Sequence, residues 1–79
     1  MPTVLRERGY RISFFAADGD EPQHVHVEHG AKRAKFWLHP FVRMSRNRGF
    51  RAHELNEIES ILVANREMLL EAWNAYFRP

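Results

Sequence analysis

Polar and apolar positions alternate with a period of two through the first half of the chain and with a helical period through the second. The clearest stretch is residues 21 to 38. Successive side chains of a strand point to opposite sides, so Val25 and Val27 share one face while His24, His26 and Glu28 share the other. Gly30 reverses the chain. On the return strand Ala34, Phe36 and Leu38 are the natural partners of the valines, which leaves Arg33, Lys35 and Trp37, with His39 at the end, on the histidine side. Residues 23–29 and 31–38 are therefore predicted as a central hairpin with an aliphatic back and a polar, basic front.

Upstream, Tyr10, Ile12 and Phe14 alternate with Arg11, Ser13 and Phe15, and Arg8-Gly9 has the length of a tight hairpin loop. Residues 3–7 and 10–16 are read as a first hairpin. Residues 17–22 are a turn by composition, because their acids lack the spacing of a calcium-binding loop. Pro40 ends the return strand, since it has no N–H to give a ladder. Residues 41–44 are read as a short last edge strand and residues 45–49, with Arg46 and Arg48, as a loop.

From Ala52 the period becomes helical. Leu55, Ile58, Leu62, Leu69, Trp73 and Tyr76 fall within about a 60° arc at roughly 100° per residue. The phase continues through Asn65, so one long helix over about 52–77 is expected, with Asn65 either satisfied in the core or marking a kink. Glu54 is placed to act as the acid of a capping box, but Arg51 at the N-cap cannot accept a hydrogen bond. The expected architecture is one α+β domain over residues 1–79: a small, mainly antiparallel sheet of four or five strands within 3–47, then that helix. Its far end (Leu69, Leu70, Trp73, Tyr76, Phe77) is expected to overhang so small a sheet, which suits a homodimer through the helix.

Composition narrows the function classes. The chain of 79 residues has no cysteine, which removes disulfides, zinc fingers and thiol chemistry. No stretch is long and apolar enough for a membrane span or a signal peptide, so a cytoplasmic protein without a membrane role is expected. Residues 1–51 hold ten Lys/Arg against five Asp/Glu, and the remainder holds two against five, which gives +5 and −3 within the net +2. A basic front with an acidic tail suits a polyanion or acidic partner on one side only.

His24 and His26 stand about 7 Å apart on one strand face, and that spacing admits three uses. As a metal set they would need Glu28, about 13 Å of strand from His24, or a ligand from His29, His39 or His53. The set is incomplete, and no bound metal or other cofactor is expected. As a metal-independent acid–base pair acting on RNA, one imidazole would take a proton and the other give one. Arg11, Arg33 or Lys35 would then stabilise the phosphate, Trp37 would stack a base, and the arginines of the 45–49 loop would touch the backbone. As a structural set, the imidazoles would simply pair with Glu and Arg across strands. Walker, dinucleotide-binding and serine-hydrolase signatures are absent.

The segments Asp18-Gly-Asp-Glu-Pro-Gln-His24-Val-His26-Val, Ala34-Lys-Phe-Trp-Leu38, Arg48-Gly-Phe50 and Asn65-Arg-Glu-Met-Leu-Leu-Glu-Ala-Trp73 together resemble a small bacterial domain-of-unknown-function family, number forty-one sixty. The resemblance runs over essentially the whole chain. It implies the toxin-like member of a two-protein module, with the product of a neighbouring gene as its antitoxin-like partner. The expected function is therefore a toxin-like component acting on RNA through a surface built on His24 and His26. Arg11, Glu28, Arg33, Lys35, Trp37, Arg46 and Arg48 are its expected binding residues. The alternative is a non-catalytic binding module for an acidic protein or DNA.

Overall fold

The computed structural model describes residues 3–77, apart from the side chains of Ala16 and Ala17. The two-residue period becomes a five-stranded antiparallel meander in which β1 (Thr3–Glu7), β2 (Tyr10–Ser13), β3 (His24–His29), β4 (Lys32–Trp37) and β5 (Arg43–Arg48) lie in chain order. Val27 is flanked by Ile12 and Ala34, and Val25 stands opposite Phe36. This row is the buried face: Ile12, Val25 and Val27 are all at 0% exposure. Helices α1 (Ala52–Ala64) and α2 (Arg66–Phe77) cover it, adding Ile58, Ile61, Leu62, Leu69 and Trp73 to the core. None of the helices among the described residues is long and apolar enough to cross a membrane.

The helical segment differs from the single long helix expected. It is two helices, and the break falls at Asn65 (φ −113°, ψ 14°). The Asn65 side-chain amide donates to the Ile61 carbonyl at 2.8 Å, where it competes with the backbone N–H for the same acceptor. Arg66 then donates to the carbonyls of Leu38 (2.7 Å) and Pro40 (3.0 Å), fastening the break to the end of β4. Hydrophobic period alone could not reveal this, because the break preserves the phase.

The expected overhang arises only at Tyr76, which is 43% exposed. Leu69 and Trp73 are buried, and Leu70 and Phe77 are partly covered. Trp73 meets Phe14 edge-on, with ring centroids 5.2 Å apart, and Phe77 packs on both rings. The chain itself thus covers most of the apolar end that suggested a homodimer.

Residues 45–49 also depart from the expected loop, since Arg46 and Arg48 stand on β5. A bulge allows it: Lys35 pairs with Arg46 but Phe36 pairs with Met44, so Ser45 is the extra residue. Asn47 closes the next turn by bonding both the N–H and the carbonyl of Phe50. Gly49 takes φ +98° there, which a side chain would strain. The turn before β3 contains a short 3₁₀ segment, Ala16–Asp20. At α1, Glu54 accepts the Arg51 N–H at 2.9 Å, the one half of a capping box that Arg51 permits.

Tyr10 links sheet to helix by donating to Glu57 at 2.7 Å. Burial, then that bond to a carboxylate, pushes its phenol from 10.0 up to about 12. A raised folded-state value contributes stability that is complete below pH 10.0 and lost as the pH climbs through about 12. Tyr10→Phe is expected to cost about 0.5–1.5 kcal/mol at neutral pH and to flatten the alkaline fall in stability. Urea midpoints for both proteins across that pH range check it, and parallel curves would refute it. Leu62→Ala and Leu69→Ala, both at fully buried positions, should each cost about 2–5 kcal/mol. Thermal melts within a degree or two of wild type would contradict that placement.

Candidate functional site

The face of the sheet turned away from the helices follows from the same alternation. Across the strands, Arg11 pairs with Glu28, Glu28 with Arg33 and Arg33 with Arg48. The next row runs Ser13, His26, Lys35 and Arg46, and the row beyond it His24, Trp37 and Arg43. A depression of about 460 Å³ opens there, lined by His26, Glu28, Arg33, Lys35, Arg46 and Arg48 among others. All seven expected binding residues lie on this one face.

Their surroundings differ. Glu28 sits between Arg11 (3.1 Å) and Arg33 (3.5 Å), a carboxylate held by two guanidinium groups. Arg11 also donates to Thr3 at 2.8 Å, which fixes its side chain. Lys35 is largely tucked in: its ammonium bonds Glu21 at 2.8 Å and lies 4.5 Å from the centre of the Trp37 ring. The Lys35 hydrogen bond holds the Glu21 carboxyl below its ordinary range. Arg46 and Arg48 are exposed and make no ion pair among the described residues. Arg33 is 67% exposed along its side chain. The exposed positive charge of this face is therefore carried by Arg6, Arg33, Arg43, Arg46 and Arg48, of which Arg33, Arg46 and Arg48 line the depression.

The two histidines are not equivalent. His26 is partly exposed, and its ring stacks on Phe15 with centroids 3.8 Å apart. His24 is at 0% exposure, against the edges of Trp37 and His26 and the ring of Trp73. Losing the His24 ring would open a cavity where sequence alone suggests an exposed side chain.

The imidazoles converge on a residue that sequence reasoning left in a turn. Asp18 Oδ2 lies 3.0 Å from His26 Nε2 and 3.2 Å from His24 Nε2, and it accepts the Phe15 N–H at 2.8 Å. His24 Nδ1 faces the Pro22 carbonyl at 2.9 Å, so that nitrogen carries the proton. Burial alone would raise the Asp18 carboxyl, but the Phe15 N–H and both imidazoles hold it below its ordinary range. Burial pushes the His26 imidazole down, with Asp18 opposing. Glu28 points to the arginines instead, and Asp18, His24 and His26 are the three residues whose donor atoms come together, all within 4.8 Å. His29 bonds the Gly9 carbonyl, away from this cluster. The one sequence signal for Asp18 is its place in the acidic turn just before the His-x-His strand.

No curated protein and no solved structure matches the chain. A family model does, over residues 9–74, which takes in the turn of Asp18, the histidine strand, the arginine-bearing edge strand and most of both helices. The chain belongs to the family described as a domain of unknown function (DUF4160).

Proposed function

We propose that the open face of the sheet binds the phosphate backbone of RNA, and that this binding underlies a toxin-like role in a two-protein module. The observation that carries the reading is the pair of exposed arginines on β5, Arg46 and Arg48, which make no ion pair among the described residues and stand beside Arg33 around a depression of about 460 Å³. Guanidinium groups suit phosphate because their planar fork can donate two parallel hydrogen bonds. Among the described residues, the carboxylate that lines the depression is Glu28, and it is ion-paired with Arg11 and Arg33. Trp37 adds an aromatic surface at the margin, in keeping with single strands, whose bases are free to stack.

The geometry favours binding over two-imidazole catalysis. General acid–base chemistry needs both groups within hydrogen-bond reach of the substrate. His24 is sealed behind Trp37, Trp73 and His26, which leaves His26 as the ring that can meet a macromolecule. The toxin-like role rests on the family resemblance, and the basic face supplies a physical means for it.

Fluorescence anisotropy with a short single-stranded RNA, measured at several salt concentrations, tests the binding. Affinity should fall steeply with salt. Arg46→Ala and Arg48→Ala should each flatten the log–log slope by about 0.7, the value for one lost phosphate contact on a single strand. Arg8→Ala, whose side chain pairs with Glu57 of α1, should leave the slope unchanged. A wild-type protein with no RNA affinity at low salt would sink the proposal. So would equal slopes in all variants, and binding confined to the neighbouring gene's product would favour an acidic protein partner.

In cells, expression of the chain alone should slow growth, and co-expression of its genomic neighbour should relieve it. The Arg46→Ala/Arg48→Ala double variant should lose most of the inhibition while melting within a few degrees of wild type, since both positions are exposed. Undiminished inhibition by the folded double variant would count against this face as the active surface.

A further inference from the structure

We propose that Asp18, His24 and His26 form a binding site for one divalent transition-metal ion of the zinc, cobalt or iron(II) class. This goes beyond RNA binding and does not depend on it. The first support is distance. Donor atoms around an ion with bonds of roughly 2.0–2.1 Å stand about 3.0–3.4 Å apart in tetrahedral or octahedral geometry. Asp18 Oδ2 is 3.0 Å from one imidazole nitrogen and 3.2 Å from the other. Both separations are edges of such a polyhedron.

The second support is an unsatisfied atom. His24 is fully buried, and its Nε2 has no hydrogen-bond partner. The Pro22 carbonyl fixes the ring through Nδ1, which leaves Nε2 facing a carboxylate oxygen 3.2 Å away. That oxygen already faces the Phe15 N–H and His26 Nε2, which occupy its two lone pairs. A buried contact between such a nitrogen and a carboxylate oxygen needs a positive charge between them, which a proton or a metal ion can supply. A cation shared by the three residues satisfies all of them together.

The supporting shell points the same way. Ligating histidines commonly donate their other ring N–H to a carbonyl, as His24 does to Pro22. The Phe15 N–H orients Asp18, and the Phe15 ring orients His26 by stacking. Two nitrogen donors favour a transition metal over magnesium or calcium, which prefer all-oxygen shells. His26 also lines the basic depression, and Glu21 Oε1, 3.7 Å from His24 Nε2, is near enough to complete the shell after a small movement.

The test uses the whole chain, stripped with a chelator and titrated with zinc or cobalt(II). One equivalent should bind per chain, raise the melting temperature and, for cobalt, give the visible spectrum of a nitrogen–oxygen site. Nitrogen-detected NMR of the unmodified protein with zinc should shift Nε2 of His24 and His26 while the Nδ1 of His24 stays protonated. Asp18→Asn and His26→Gln should each weaken binding at least about tenfold, whereas His39→Ala and His53→Ala, at exposed positions, should leave it unchanged. His24→Ala is a poor probe because it empties a buried position, and the NMR readout replaces it. The proposal is overturned if wild-type protein takes up no stoichiometric metal, or if the imidazole signals that shift are those of His29, His39 or His53. It is equally overturned if a folded Asp18→Asn variant binds metal as tightly as wild type.

Discussion

The two-residue period of β3 is the constraint on which the rest of the structure depends. Val25 and Val27 must be buried, so the residues between them are committed to the other face. Helices α1 and α2 cover one side of the meander. The opposite side is left to whatever the alternate positions hold, and here that is arginine, lysine, histidine and tryptophan. A slip of register by one residue would bury charge and expose the core together. The basic face is thus a by-product of the pattern that builds the core.

Most of the sheet could be read from sequence because alternation there is uninterrupted. The pairing of β3 with β4 joins the residues that the pattern joins, and Arg11, Glu28, Arg33, Lys35 and Trp37 share a face for the same reason. The strand β5 was harder to see. Its bulge at Ser45 breaks the period, and its six residues are all exposed, so no apolar stripe marks it. The helix break was hidden for the opposite reason: the apolar phase runs through Asn65, and only a side-chain hydrogen bond reveals the interruption.

The histidine cluster marks where one-dimensional reasoning ends. Strand spacing correctly puts His24 and His26 side by side, but it searches for a third partner two residues further along, at Glu28. The actual neighbour, Asp18, comes from a 3₁₀ turn, and its position depends on the Phe15 N–H and on the fold of the whole connection. The burial of His24 was equally out of reach, because it results from Trp73 arriving from the far end of the chain. Sites shared between a regular element and a turn are legible only in part, since the turn has no period to extrapolate.

One consequence follows from β5 being an edge strand. A sheet edge offers unpaired backbone groups to any other strand, and proteins that remain dispersed guard such edges with charge or with a bulge. Here the edge has both, the Ser45 bulge and the arginines at 43, 46 and 48. The charges that the proposed reading assigns to polyanion binding therefore also keep one copy's edge from templating onto another's. Under the proposed reading both properties rest on the same side chains, so a chain that shed these arginines would lose its polyanion surface and at the same time become more prone to aggregate.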